Sequence, residues 1–268
     1  MRIGLIGLGT IGKQVAYAIR DGRAGNAQLL AILESDPGKI SVGRADGLAG
    51  VITADADEFF AADTNVIVEA AGHAALKQCA ERALRSGRDL LAVSAGAFAD
   101  PGFLSSVKRA AEESKRRVAI PSGSLAALDA ISSGAVGEID EVMLVARKPP
   151  AAFKGTIAEE VAMRVIDAPV CLYDGLAREA AELFPQNVNV VASLSLAGVG
   201  FDRTMIKMYA DPTITHNTFE LYARGDFGEV KVELKNIPYP ENPKTGHLVV
   251  MSLIKAIRRL EERFIVGF

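Results

Sequence analysis

Hydrophobic and polar positions change rhythm near the middle of the chain. In the first part, short apolar runs alternate with longer segments whose apolar residues recur every three to four positions. Residues 2–6 read as a strand, and residues 11–20 as a helix with Ile11, Val15, Ala18 and Ile19 at helical spacing. Apolar runs over 29–33 and 66–68 end at Glu34 and Glu69. The pattern predicts a helix over 75–84 stopped by Ser86-Gly87, a buried strand over 90–93, and an amphipathic helix over 103–114 leading into 117–120. Strands that alternate with helices form βαβ units and a parallel sheet.

Beyond about Pro121 a period of two takes over. Val230, Val232 and Leu234 share one face of a strand while Lys231, Glu233 and Lys235 share the other, and Phe219, Leu221 and Ala223 repeat the pattern. Arg224-Gly225-Asp226 supplies the turn between these two strands, and residues 203–210 make a third. Residues 248–264 return to a helical pattern with Leu248, Met251, Ile254, Ile257 and Leu260 as a stripe, expected to pack back on the first part of the chain.

Composition narrows the function classes. The 268 residues include 30 Lys+Arg and 33 Asp+Glu, a formal net charge of -3, with 49% hydrophobic residues and no Trp. Such a chain folds around a sizeable core. No basic run marks a nucleic-acid or membrane partner, so a small soluble molecule is the expected partner. Cys79 and Cys171 lie too far apart for a disulfide framework or a metal site, which fits a reducing, cytoplasmic setting, and no metal is expected. The start of the chain loosely imitates a secretory signal, but Gly4, Gly7, Gly9, Gly12 and Lys13 break its apolar run, and no leader is expected.

Those glycines have a chemical use. Gly7-Leu8-Gly9-Thr10-Ile11-Gly12 follows the first strand and opens the first helix. Gly7 permits the tight turn, Gly9 admits a pyrophosphate close to the backbone, and Gly12 lets helix and strand approach. The amide groups at Thr10 and Ile11 then face the phosphates at a helix N-terminus. Glu34 stands where an acid bonds the adenosine ribose, with Ser35 rather than an Arg after it, so NAD is expected over NADP. Ala70-Ala71-Gly72-His73 and Ser94-Ala95-Gly96-Ala97 end later strands, where small residues allow backbone to approach the nicotinamide. The expected fold class is α/β. A Rossmann dinucleotide-binding domain over 1–120 is completed by the C-terminal helix 247–268, and a mixed α/β substrate domain spans 121–246.

Taken in order, Gly7 to Gly12, Glu69-Ala70-Ala71-Gly72-His73, Ser94-Ala95-Gly96-Ala97, Pro121-Ser122-Gly123, Phe184-Pro185-Gln186-Asn187-Val188-Asn189-Val190, Asp226-Phe227-Gly228 and Asn242-Pro243-Lys244-Thr245 resemble the motif series of the L-aspartate dehydrogenases. The resemblance implies a homodimer that oxidises L-aspartate to iminosuccinate with NAD or NADP, the product being hydrolysed to oxaloacetate and ammonia or passed to NAD biosynthesis. It also implies that Asn187 or Asn189 serves the nicotinamide end and that Ser124 places its backbone near the cofactor. For a dicarboxylate substrate, Lys148, Lys244 and Thr245 are candidate ligands, Arg147 a weaker one, and Ser122 a further donor.

Oxidation of an amine requires a base, and histidine suits it near neutrality. The chain has three: His73, His216 and His247. The resemblance places the family's histidine two residues after an asparagine, which puts Phe219 in its position after Asn217. His216 is then the first candidate base, from a shifted loop, and His73 the second. Two other readings stay open: a related two-domain reductase, such as a dihydrodipicolinate reductase or homoserine dehydrogenase, and a non-catalytic NAD-binding sensor, which Phe219 favours.

Overall fold

The computed structural model describes residues 1–48, 51–185 and 187–266; Ala49, Gly50, Gln186 of the Phe184 to Val190 motif, Gly267 and Phe268 lie outside the described residues. The chain divides into two compact units, the first made of Met1–Pro121 with Val250–Val266, the second beginning at Ser122 and running to Val249.

In the first unit the order is β1 (Arg2–Ile6), α1 (Thr10–Arg20), β2 (Gln28–Leu33), α2 (Pro37–Gly43), β3 (Ile52–Thr53), α3 (Ala56–Ala61), β4 (Val66–Glu69), α4 (His73–Arg85), β5 (Asp89–Ala92), α5 (Pro101–Ser114) and β6 (Val118–Ala119). All strands run parallel in the order β3-β2-β1-β4-β5-β6. The order reverses between β1 and β4, and ligands of such sheets bind beyond the strand ends at that switch point. Ile3, Leu5, Ile32, Ile67 and Leu90 are fully buried in the strands, and Phe59, Leu76 and Leu84 cover them from the helices. Each contributes about 1.5–3 kcal/mol by leaving water.

The helices α2, α3 and α5 start at Asp36, Asp55 and Asp100, whose carboxylates accept backbone N–H groups of the first turn. Helices α1 and α4 start at Gly9 and Gly72 and have no side-chain cap.

The second unit contains α6 (Leu128–Gly134), β7 (Ile139–Lys148), α7 (Glu159–Met163), β8 (Val170–Leu176), α8 (Ala177–Leu183), α9 (Asn189–Ala197), β9 (Thr204–Ala210), β10 (Asn217–Gly225), β11 (Gly228–Asn236), β12 (Pro238–Tyr239) and β13 (Asn242–Gly246). Five strands form a mixed sheet in the order β11-β10-β7-β9-β8, and β12 and β13 form a separate ribbon. The strand β7 is central and pairs with β10 antiparallel and β9 parallel. One face is apolar and buried: Val142, Leu144 and Ala146 of β7, Phe219, Leu221 and Ala223 of β10, and Ile206 and Met208 of β9.

Three local expectations change. The hairpin loop is Asp226-Phe227, since Gly225 pairs with Gly228, whose φ of 97° turns the chain one residue later than expected. The last helix, α10 (His247–Arg259), ends five residues before Phe264. Its buried side is Val250, Leu253 and Ile257, while Met251 is 59% exposed. A strict three-residue spacing slips about 60° around a helix at each step, so the expected stripe spirals off the buried face. From Val250 onward this helix belongs with the first unit, where Arg258 donates to the Arg23 carbonyl at 2.7 Å.

Ala127, which precedes α6, holds φ at 62°. The left-handed region costs an L-residue about 1–2 kcal/mol. Ala127→Gly is therefore expected to stabilise the protein by about 0.5–1 kcal/mol, read as a rise in the calorimetric melting temperature; an unchanged or lower melting temperature would contradict the strain.

Candidate active site

In the first unit, buried carboxylates stand at the ends of both strands that flank β1. Glu34, at the end of β2, accepts the Leu8 N–H at 2.7 Å and the Asp36 N–H at 2.9 Å. Glu69, ending β4 and fully buried, accepts the Ala71 and Gly72 N–H groups, both at 2.8 Å, and both the N–H (3.1 Å) and hydroxyl (2.8 Å) of Ser94. The turns carrying Ala70, Ala71 and Gly72 and carrying Ser94 and Ala95 are thus tied to one acid.

The glycine turn has the shape of a phosphate cradle. A Cβ at Gly12 would stand 2.0 Å from the Gly7 carbonyl oxygen, and one at Gly7, where φ is 94°, would stand 2.7 Å from Ala71 Cβ. At Gly9 nothing lies within 4 Å of that position, so the backbone is open on that side. The amides of Thr10, Ile11 and Gly12 occupy the first turn of an uncapped helix, where N–H groups lack intrahelical partners. These features fit the pyrophosphate of a dinucleotide. A cleft of about 300 Å³ beside it is lined by Leu8, Lys13, Asp36, Gly38, Lys39 and Val42. Lys39 reaches 3.9 Å from Glu34, and Lys13 pairs with Asp46 at 3.0 Å. Neither lysine stood out in the sequence, where an Arg directly after Glu34 was the signal sought.

His73 opens α4 and is half-buried. Among the described residues no group of three or more His, Cys, Asp or Glu side chains could hold a metal ion, and no helix is long and apolar enough to cross a membrane.

In the second unit, the apolar sheet face ends in a polar cluster. Lys148 at the end of β7 is 3% exposed, and its Nζ donates to Asn187 Oδ1 at 2.8 Å. Asn187 is 6% exposed, and its Nδ2 has no partner. The Phe219 ring centre lies 5.9 Å from Lys148 Nζ. Burial, and secondarily the charge of Lys244, lower the Lys148 amine to about 8. Asn217, opposite Asn236, donates to the Pro243 carbonyl at 3.1 Å and leaves a buried Oδ1 unpartnered. Thr245 accepts from Asn242 at 3.1 Å, beside Lys244 in β13. Ser124 is buried and its carbonyl accepts from Asn236, and Ser122 is half-buried two residues before. Asn189 opens α9, where its carbonyl accepts from Ser193.

His216 lies in the bend before β10, half-buried, with Nδ1 3.0 Å from Thr215 Oγ1. His247 packs its ring 3.9 Å from that of Tyr239. The structure therefore brings together Lys148, Asn187 and the Phe219 position and sets His216 against Thr215. Burial of Lys148 was not foreseen, because a charged residue ending a strand ordinarily points to solvent.

Family comparisons give these features a context. Residues 129–260 match the model for the C-terminal domain of aspartate dehydrogenase, and residues 7–121 match the NAD-binding domain of homoserine dehydrogenase. An L-aspartate dehydrogenase of Methanosarcina barkeri is 35% identical over 97% of each chain, and one of Ralstonia pickettii is 42% identical over 73% of this chain and 74% of its own. The chain belongs to the aspartate dehydrogenase family. The crystal structure of aspartate dehydrogenase from Thermotoga maritima superposes with a TM-score of 0.80 at 25% identity, covering 100% of this chain and 99% of that one. A scyllo-inositol dehydrogenase of Lactobacillus casei shares the fold at a TM-score of 0.60 and 14% identity, over 97% of this chain and 87% of its own. As an aspartate dehydrogenase family member, the chain is an NAD(P)-dependent amino-acid dehydrogenase with a nicotinamide-binding first unit.

Within this family framework, Glu69 is the hub of the turns around the switch point. Glu69→Gln keeps one oxygen for three of the four donors and sets an amide donor against the Ser94 N–H, and is expected to cost about 2 kcal/mol for the unsatisfied group. The melting temperature should fall and NADH should bind more weakly by isothermal titration calorimetry. Unchanged NADH affinity would remove Glu69 from the cofactor site.

Proposed function

We propose that the chain oxidises L-aspartate to iminosuccinate, with hydride passing from the substrate Cα to NAD. The observation that carries this reading is the buried polar cluster of Lys148 and Asn187 at the end of an apolar sheet face, with Lys244 near enough to act on Lys148 and no carboxylate of the described residues paired with Lys148. A dicarboxylic substrate brings acceptors to a cluster in which Lys148 has no carboxylate partner. Lys244, Thr245 and Ser122 are assigned to the substrate carboxylates, and Asn187 and Asn189 to amide recognition. His216 and His73 remain the histidines to be weighed for proton transfer. Iminosuccinate is then hydrolysed to oxaloacetate and ammonia or passed to NAD biosynthesis.

The cofactor preference is carried by Glu34. A buried carboxylate held by the Leu8 and Asp36 amides has lone pairs left for ribose hydroxyls and repels a 2′-phosphate. Lys39, at 3.9 Å from it, tempers that repulsion and supports some use of NADP. A cytoplasmic location is consistent with this metabolic role.

Dimerisation is supported by the edge of the second unit's sheet. The edge strand β8 carries exposed Val170, and Ile157, Val161, Met163 and Ile166 are exposed in the segment before it. A second copy of this chain is the proposed cover. Paired Val161→Asp and Ile166→Asp substitutions should give a monomer by light scattering; an unchanged mass would place the interface elsewhere.

A non-catalytic NAD-binding reading is favoured by Phe219 standing where the resemblance places a histidine. One assay decides between them: absorbance of reduced nicotinamide formed from L-aspartate and NAD, with a panel of other amino and hydroxy acids. Turnover with L-aspartate and a higher kcat/KM with NAD than NADP is the expected result, and NADH binding without turnover of any of these would sink the enzyme reading. Glu34→Ala should lower kcat/KM for NAD by about 10–100-fold, the worth of hydrogen bonds to a charged group.

A further inference from the structure

We propose that the Lys148 amine takes the proton from the substrate ammonium, the role expected of a histidine; this rests on the reading that the substrate is an amino acid. The geometry that points to it is local to the second unit. The ladder that pairs Thr218 with Arg147 and Phe219 with Ala146 sets Asn217 opposite Lys148, on the same covered face as Phe219. The position at which the family resemblance expects a histidine is thus occupied by an aromatic ring that cannot carry a proton, and the titratable group beside that ring is Lys148.

The surroundings make the amine easier to deprotonate than that of an exposed lysine. On β7 itself, Arg147 turns to the other face and pairs with Glu220 at 2.9 Å. The strand β9 contributes Ala210, and the following Asp211 turns its carboxylate to the Thr213 N–H and hydroxyl. From β10 come uncharged Asn217 and Phe219, from the segment before α9 uncharged Asn187, and from β13 the cation Lys244. Burial and that like charge both oppose protonation, bringing Lys148 down to about 8. One Lys148 hydrogen is used on Asn187, which leaves the lone pair of the neutral amine available.

Two buried polar atoms without partners belong to the residues that neighbour Lys148. Asn217 Oδ1 can accept from the substrate ammonium, and Asn187 Nδ2 can donate to its α-carboxylate. The step balances. Neutral Lys148 Nζ accepts one proton from the ammonium, the substrate nitrogen's freed electron pair forms the C=N bond, and hydride leaves Cα with the C–H electron pair for the oxidised nicotinamide. The products are an iminium, the reduced dinucleotide and the Lys148 ammonium, which returns its proton to solvent.

The test combines variants with a titration that does not depend on turnover. In the wild type kcat/KM should rise with pH through a single deprotonation near 8. Lys148→Arg keeps the cation but cannot lose it, and should lower kcat by about 100-fold or more with NADH affinity unchanged; Lys148→Met, which is less bulky, should do the same if arginine disturbs packing. NMR of 13C,15N-lysine protein, with Lys148 assigned by its loss in the Met variant, should show this amine titrating near 8. Lys148→Arg within threefold of wild-type kcat would overturn the proposal, as would a Lys148 titration in the ordinary range near 10.5. Loss of this pH dependence in His216→Ala or His73→Ala but not in Lys148→Arg would overturn it too. A wild type inactive on L-aspartate would defeat the substrate assignment alone, since the NMR titration still decides the state of Lys148.

Discussion

Burial of a carboxylate is tolerated only where enough donors meet it, and the first unit is organised around two such demands. Glu34 and Glu69 end the strands on either side of β1, and neither has water enough to satisfy it. Both are met by backbone N–H groups of the turns that follow the strands, with one serine hydroxyl added. The loops at the sheet's switch point are therefore held in place by acids beneath them. A glycine turn as tight as that from Gly7 to Gly12, where a single added methyl would strike a carbonyl oxygen, needs this fixed setting.

The second unit solves the opposite problem. Its sheet is apolar along one face until the last positions of β7 and the first of β10, where Lys148 and Asn217 replace aliphatic residues. Here the polar groups are under-supplied with partners: an amide donor, an amide acceptor and an amine without a counter-ion remain inside the protein. Each such group costs stability, which is retained in proteins where a ligand completes the set.

Much of the first unit was legible because its signals are local. Strand 2–6, the glycine turn and helix 11–20 follow one another without interruption, and their periods are unambiguous. The helices α2 and α3 were missed although Asp36 and Asp55 announce them, because each is too short to show a period. In the second unit β7 escaped notice: Met143 and Val145 alternate with Val142, Leu144 and Ala146, so apolar residues occupy both faces and the period of two is hidden. With β7 unread, the environment of Lys148 could not be read either, since burial of a strand end is decided by the segment before α9 and by β10, both remote in sequence. The cofactor turn was visible from spacing; the amine cluster depends on contacts that only folding creates.

The contrast in helix starts has a further consequence. In the first unit α2, α3 and α5 close their N-termini with an aspartate of the chain's own, while α1 and α4 begin at glycines with no side chain to offer. At α4 the Glu69 carboxylate reaches the Gly72 N–H from below, whereas the start of α1 has no carboxylate of its own cap residue and keeps a partial positive charge. A dinucleotide phosphate has the charge to cap α1, so cofactor binding there would complete secondary structure as well as supply a reactant. A ligand that binds only the folded unit adds to its stability by mass action, so the dinucleotide concentration shifts that balance.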